Sequence, residues 1–193
     1  MHKLIIAISL FFIAGQSMAQ NGSTEDLKYR KFALYLGAGP SYFINNVVTF
    51  KNEVNSFNYE ISFRAMWEPK HSFLSLGFES GYYRLYSVSV DSIKSKVVNT
   101  AIPLQLVVSM KVAKNWYANF SFGQSILYNK VTTELSASNH SNHTLSYADL
   151  GLTAGYRFSV KNRLSYAVET KFFYSSGNAD GTVAVLFMVG YKL

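Results

Sequence analysis

The chain contains no cysteine, which excludes a disulfide framework and any thiolate metal site. Charge is scarce. Of 193 residues, 15% are Asp, Glu, Lys or Arg, against about 25% in an ordinary soluble domain. Beyond the N-terminus, no apolar run approaches the ~20 residues of a membrane-crossing helix, so any insertion into a bilayer must use strands. The formal charge of +7 comes without a run of consecutive Lys and Arg. Nucleic-acid binding is therefore not expected, and the scattered basic residues are placed to meet anionic lipid head groups instead. No glycine loop leads from a strand into a helix, so no phosphate cradle is expected. What the chain has is apolar and aromatic: 49% hydrophobic residues and 16% Phe, Trp and Tyr. Its length allows one domain.

The first residues carry a separate signal. Met1, His2 and Lys3 are a short basic start, residues 4–14 are almost unbroken apolar, and Ser17-Met18-Ala19 offers small residues before a cut. This is the layout of a secretory signal peptide over residues 1–19, with Gln20 as the mature first residue. The expected organisation is then a short periplasmic segment over 20–31 and a barrel domain over 32–193.

From residue 32 onward the dominant period is two, the mark of strands with two unlike faces. Phe57, Tyr59, Ile61, Phe63, Ala65 and Trp67 share one parity, while Asn58, Glu60, Ser62 and Arg64 take the other. Leu74, Leu76, Phe78 and Tyr82 oppose Ser75, Gly77, Glu79 and Gly81. The same design recurs around Leu104, Phe120, Leu152, Val168 and Phe187. With a first strand at 32–43, whose facing is ambiguous, the pattern predicts an all-β, eight-stranded, antiparallel up-and-down barrel. Strands of about nine to twelve residues suit a tilted bilayer crossing, and an even count leaves both termini on one side. The links agree. Those at 68–71, 111–115 and 159–163 are short, and those at 44–56, 84–96 and 129–144 are long. This alternation fits periplasmic turns and extracellular loops. The structural rival is a lipocalin-like barrel with the apolar face inside. Small residues on the polar parity and aromatics near strand ends (Trp67, Trp116, Tyr82, Tyr156, Tyr174 and Tyr191) favour the membrane version.

With these features the chain resembles the small outer-membrane β-barrel proteins of Bacteroidetes, a broad group with PorT-like members. Two pieces carry the likeness: Thr100-Ala101-Ile102-Pro103-Leu104-Gln105-Leu106, similar to a recurrent Ile-Pro-Leu strand, and the closing Val189-Gly190-Tyr191-Lys192-Leu193. The proline removes one ladder hydrogen bond, and its parity points inward, which suggests a locally distorted, water-compensated strand. The ending resembles the terminal signal read by the barrel-assembly machinery, with Leu in place of the usual final aromatic. The resemblance implies residence in a Gram-negative outer membrane, contact with lipopolysaccharide, and a possible part in protein export. A fold alone does not determine function.

By parity Glu60, Arg64, Glu79, Arg157, Glu169 and Lys171 project into the lumen, with Asp149 near the outer end of its strand. Eight strands leave just enough room for side chains to pack, and unpaired buried charges are costly. The expectation is a structural ion-pair network, with a narrow polar pathway as the rival. His140-Ser141-Asn142-His143 is expected in a flexible outer loop. Two histidines there could ligate a metal, or join a serine and Asp149 in a lipid-modifying site, but acidic ligands and triad geometry are not evident. The overall expectation is a monomeric, non-enzymatic barrel with no catalytic residues, cofactor or metal, acting through its outer loops. Export component, lipid-modifying enzyme and narrow channel are the alternatives.

Overall fold

The computed structural model describes residues 30–44, 54–69, 72–90, 95–133, 140–159, 163–176 and 180–193. The expected leader, and residues 20–29 of the expected periplasmic segment, lie outside these. The described chain forms ten strand segments: β1 (Arg30–Ile44), β2 (Val54–Asn55), β3 (Phe57–Pro69), β4 (Leu74–Val90), β5 (Ser95–Lys111), β6 (Trp116–Thr133), β7 (His140–Leu145), β8 (Asp149–Ser159), β9 (Leu164–Ser175) and β10 (Asp180–Lys192). Every pairing is antiparallel, and around the ring the order is β4-β3-β1-β10-β9-β8-β6-β5, closed by β5 against β4. The short β2 pairs only with β4, and β7 only with β6. They continue the staves of β3 and β8, so the molecule is a closed eight-stranded up-and-down barrel.

The alternation resolves into an inside and an outside. Leu36, Phe63, Leu106, Leu152 and Phe187 lie on the outer wall, exposed by 59%, 42%, 52%, 56% and 54%. Their neighbours Ser62, Arg64, Gln105, Thr153 and Leu186 are buried. The apolar parity therefore faces outward, the reverse of a lipocalin. The ambiguous first strand obeys the same rule: Leu34 and Leu36 face out, and Ala33 and Tyr35 face in. Trp116 packs edge-on against Tyr156, and Tyr156 against Phe158, forming an aromatic corner beside the end that carries β1's start and β10's finish. That end is called the terminal end below, and the opposite one the loop end.

Two departures from expectation lie at the loop end. The links read as long loops at 84–96 and 129–144 are largely strand, because β4 reaches Val90, β5 starts at Ser95, and β6 runs to Thr133. His140-Ser141-Asn142-His143 is not a flexible loop but part of β7, paired with Val131 to Tyr128. Along β6 and β7 the residues are mostly polar and alternate as readily as in a loop, whereas along β4 Tyr86, Val88 and Val90 alternate with Ser87 and Ser89 in the pattern of a strand. The barrel wall thus stands taller along β4 to β7 than elsewhere.

Both prolines inside the wall coincide with interrupted pairing. The β4–β5 register passes from Ser80↔Leu104 to Tyr83↔Ala101, with no pair at Ile102 or Pro103. The β1–β10 register passes from Ala38↔Phe187 to Ser41↔Ala184, with none at Gly39 or Pro40. A proline has no N–H to give its neighbour, and each leaves its other flank paired, Pro103 to Ser125 and Pro40 to Tyr59.

Candidate functional site: the charged interior

The lumen is filled in layers. At mid-height Arg64 (β3) donates from Nη1 and Nη2 to the two carboxylate oxygens of Glu169 (β9) at 2.8 and 3.1 Å, and from Nε to Glu79 (β4) at 2.6 Å. With its amide oxygen turned to the guanidinium, Asn119 accepts a further bond from Arg64 Nη1 at 2.9 Å. Lys171 (β9) donates to Glu60 Oε1 at 2.9 Å, to Glu79 Oε1 and to the Tyr83 hydroxyl. Tyr83 in turn donates to Glu79 at 2.8 Å, and Tyr117 donates to Glu169 at 2.5 Å. All five charged residues are buried. Three carboxylates face two cations, and Glu60 Oε2 has no hydrogen-bond partner.

Toward the terminal end a second cluster forms around Glu68. It accepts from Arg157 Nη1 at 3.0 Å and the Tyr35 hydroxyl at 2.5 Å, and pairs with Lys192 at 3.1 Å. The Arg157 guanidinium lies 4.8 Å from the ring centroids of both Tyr35 and Tyr117, within cation–π range. These rings cross the lumen because glycine lies under each. A Cβ on Gly190 would strike the Tyr35 ring, and one on Gly155 the Tyr117 ring. Tyr117, touching Arg157 with its face and Glu169 with its hydroxyl, joins the two clusters.

Toward the loop end the lumen turns apolar. Phe43, Tyr83, Leu85, Ala101, Leu127 and Phe173 pack together, Tyr83 meeting Phe173 edge-on at 5.2 Å. Asp149 lies to one side of this plug, buried, and accepts from the Ser146 hydroxyl at 2.8 Å and the Ser176 N–H at 3.2 Å. Ser146 sits in a bulge: pairing with β6 stops at Ile126↔Leu145 and resumes at Gly123↔Asp149, so Ser146, Tyr147 and Ala148 oppose Gln124 and Ser125. Asp149, weighed above for a lipid-modifying site, thus makes its bonds to a serine and a backbone amide. Among the described residues no group of three His, Cys, Asp or Glu could hold a metal ion, and His143 is exposed on β7.

Of the six charged residues predicted to point inward, the structure brings Glu60, Arg64, Glu79, Glu169 and Lys171 into one cluster and puts Arg157 in the second. Sequence reasoning missed Glu68 and Lys192, which sit at strand ends where parity was not followed. It also missed Tyr83 and Tyr117, whose parity matches Glu79 and Asn119 and could have found them. Tyr35 was hidden by the ambiguous first strand.

No family model matches the chain, and no curated protein matches it in sequence. Solved structures do match its fold. Ail, the attachment invasion locus protein of Yersinia pestis, solved in complex with the heparin analogue sucrose octasulfate, is 10% identical with a TM-score of 0.55, covering 85% of this chain and 99% of its own. Neisserial surface protein A, NspA, is 12% identical with a TM-score of 0.50, covering 84% of this chain and 97% of its own.

Proposed function

We propose that the protein is an integral outer-membrane barrel, non-enzymatic, with a plugged lumen and with its working surface at the loop end. The observation that carries this reading is the inversion of the fold, an apolar outer wall around a buried charged interior. Such a wall is stable only where lipid replaces water around it. The likeness in fold to Ail and NspA supports it. In this reading residues 1–19 are the export leader, both termini are periplasmic, and the barrel-assembly machinery reads the closing strand. The interior clusters serve as structural filling, because Arg64 and Lys171 spend their donors on neighbouring side chains. The raised ribbon from β4 to β7 then meets lipopolysaccharide or molecules outside the cell, as a monomer. Export, implied by the PorT-like resemblance, is a second reading that rests on the strand around Pro103.

Membrane fractionation with gel migration before and after boiling tests the first reading. The protein is expected in the outer membrane and to shift on heating, and a soluble periplasmic product would overturn it. In planar bilayers the intact barrel is expected to give no regular conductance steps, and steady open-channel current would remove the plugged lumen.

A further inference from the structure

The outer wall has a recess of about 610 Å³ where β1, β3 and β4 run side by side toward the loop end, lined on its outward side by Ala38, Pro40, Phe57, Tyr59, Ile61 and Arg84, with the polar Asn55, Asn58 and Glu60 at its floor and margin. It exists because β1 presents two small outward residues, Ala38 and Pro40, between the larger Leu36 and Tyr42. On β3 the walls are aromatic, and Tyr59 stacks with Tyr82 of β4 at 6.0 Å. Arg84 flanks the recess from β4, one residue past the Glu60↔Tyr83 pair and so level with Tyr59, with Ile61 and Ala38 on its terminal side and Phe57 on its loop side. Ordinary alternation aims it there: Tyr82 and Arg84 take the outer face while Tyr83 and Leu85 turn into the lumen plug, and the β4–β5 register shifts just beyond, between Arg84 and Tyr86. Arg84 Nε is enclosed without a partner, and among the described residues the side chain has no hydrogen bond or ion pair.

Height adds the second half of the argument. Arg84 lies about ten residues along β4 from Leu74. At ~3.3 Å per residue and a tilt of about 40°, that is ~25 Å above the terminal end, the full height of a barrel's lipid-facing band. The guanidinium therefore stands at head-group level with an apolar trough beneath it. A planar cation with free donors suits a phosphate in its fork geometry, and small outward residues below it leave room for a chain. We propose that this recess binds one anionic lipid with an exposed phosphomonoester, its phosphate on Arg84 and an acyl chain over Ala38 and Pro40.

The inference rests on the membrane-spanning reading above, and one experiment separates the two. The barrel is placed in phosphatidylcholine nanodiscs doped with phosphatidic acid, and retained lipid is counted by native mass spectrometry after extraction. One phosphatidic acid is expected to stay with the wild type. Arg84→Gln is expected to reduce retention about tenfold, as befits loss of a charge-assisted hydrogen bond. Ala38→Phe, which fills the trough and leaves Arg84 in place, is expected to reduce it similarly, while Lys111→Gln at the opposite end has no effect. Equal retention by Arg84→Gln, or indifference to Ala38→Phe, overturns the site in favour of general head-group contact. Displacement of the lipid by inorganic phosphate at low concentration would mean a free anion is the ligand, and overturns it too. A chain that never inserts overturns both readings, whereas an inserted barrel that retains no lipid overturns the recess alone.

Discussion

The cluster around Arg64 and Lys171 and the cluster around Arg157 are built from the same groups, yet solvent divides them. In the first, the paired side chains are 0 to 3% exposed. In the second, Arg157, Glu68 and Lys192 are 22%, 14% and 34% exposed at the terminal mouth. Water can replace a lost partner at the mouth and cannot do so at the centre. The same ion pair is thus nearly dispensable in one place and indispensable in the other. Charge count sharpens the contrast. The mouth has two cations for one carboxylate, and the centre has two cations for three.

The largest effect is expected from Lys171→Met, which strands Glu60 in the dry interior, leaves Glu79 with Arg64 alone of its two cations, and should cost about 3–5 kcal/mol in urea unfolding from lipid vesicles. A loss below ~1 kcal/mol would mean that water reaches the centre and would erase the distinction. Glu68→Gln at the mouth is expected to cost about 1 kcal/mol or less, and this loss should shrink as salt is raised. A large, salt-independent loss would show the mouth to be as closed as the centre. The smallest effect is expected from Glu60→Gln. Its Oε1 can still accept from Lys171 as an amide oxygen, and the substitution removes the surplus carboxylate whose Oε2 is unpartnered. Unfolding should be unchanged or slightly harder, and a marked destabilisation would show that the third negative charge is needed.

The difference between the clusters also marks what the sequence could reveal. Parity alone told which face each residue takes, so the barrel, its strand count and its apolar wall were legible in runs such as 57–67. Parity does not give height along the axis, because that depends on the stagger of all the strands together. Nothing in the order of residues told that Arg64 would meet Glu169 while Arg157 met Glu68. The register shift between Arg84 and Tyr86 was equally silent, because Tyr83, Leu85 and Ser87 stay buried in unbroken alternation through it. The ribbon was mistaken for loop along β6 and β7 because its residues there are mostly polar, whereas Tyr86, Val88 and Val90 alternating with Ser87 and Ser89 could have revealed the extension of β4.

The central layer has a consequence for how the molecule comes together. Arg64 and Glu169 are 105 residues apart in the chain, and Lys171 and Glu60 are 111 apart. Hairpins such as β3–β4 can form early, but they carry Arg64 and Glu60 with most of their partners still missing until β9 arrives. A partial sheet entering lipid would have to drag those charges in unpaired, at a cost its local pairing cannot offset. Neutralising the central layer therefore waits for β9, the strand just before the one that closes the seam with β1. On the membrane-spanning reading proposed above, the assembling chain has reason to stay at the wet surface until its last strands are in hand, and then to cross as a finished cylinder.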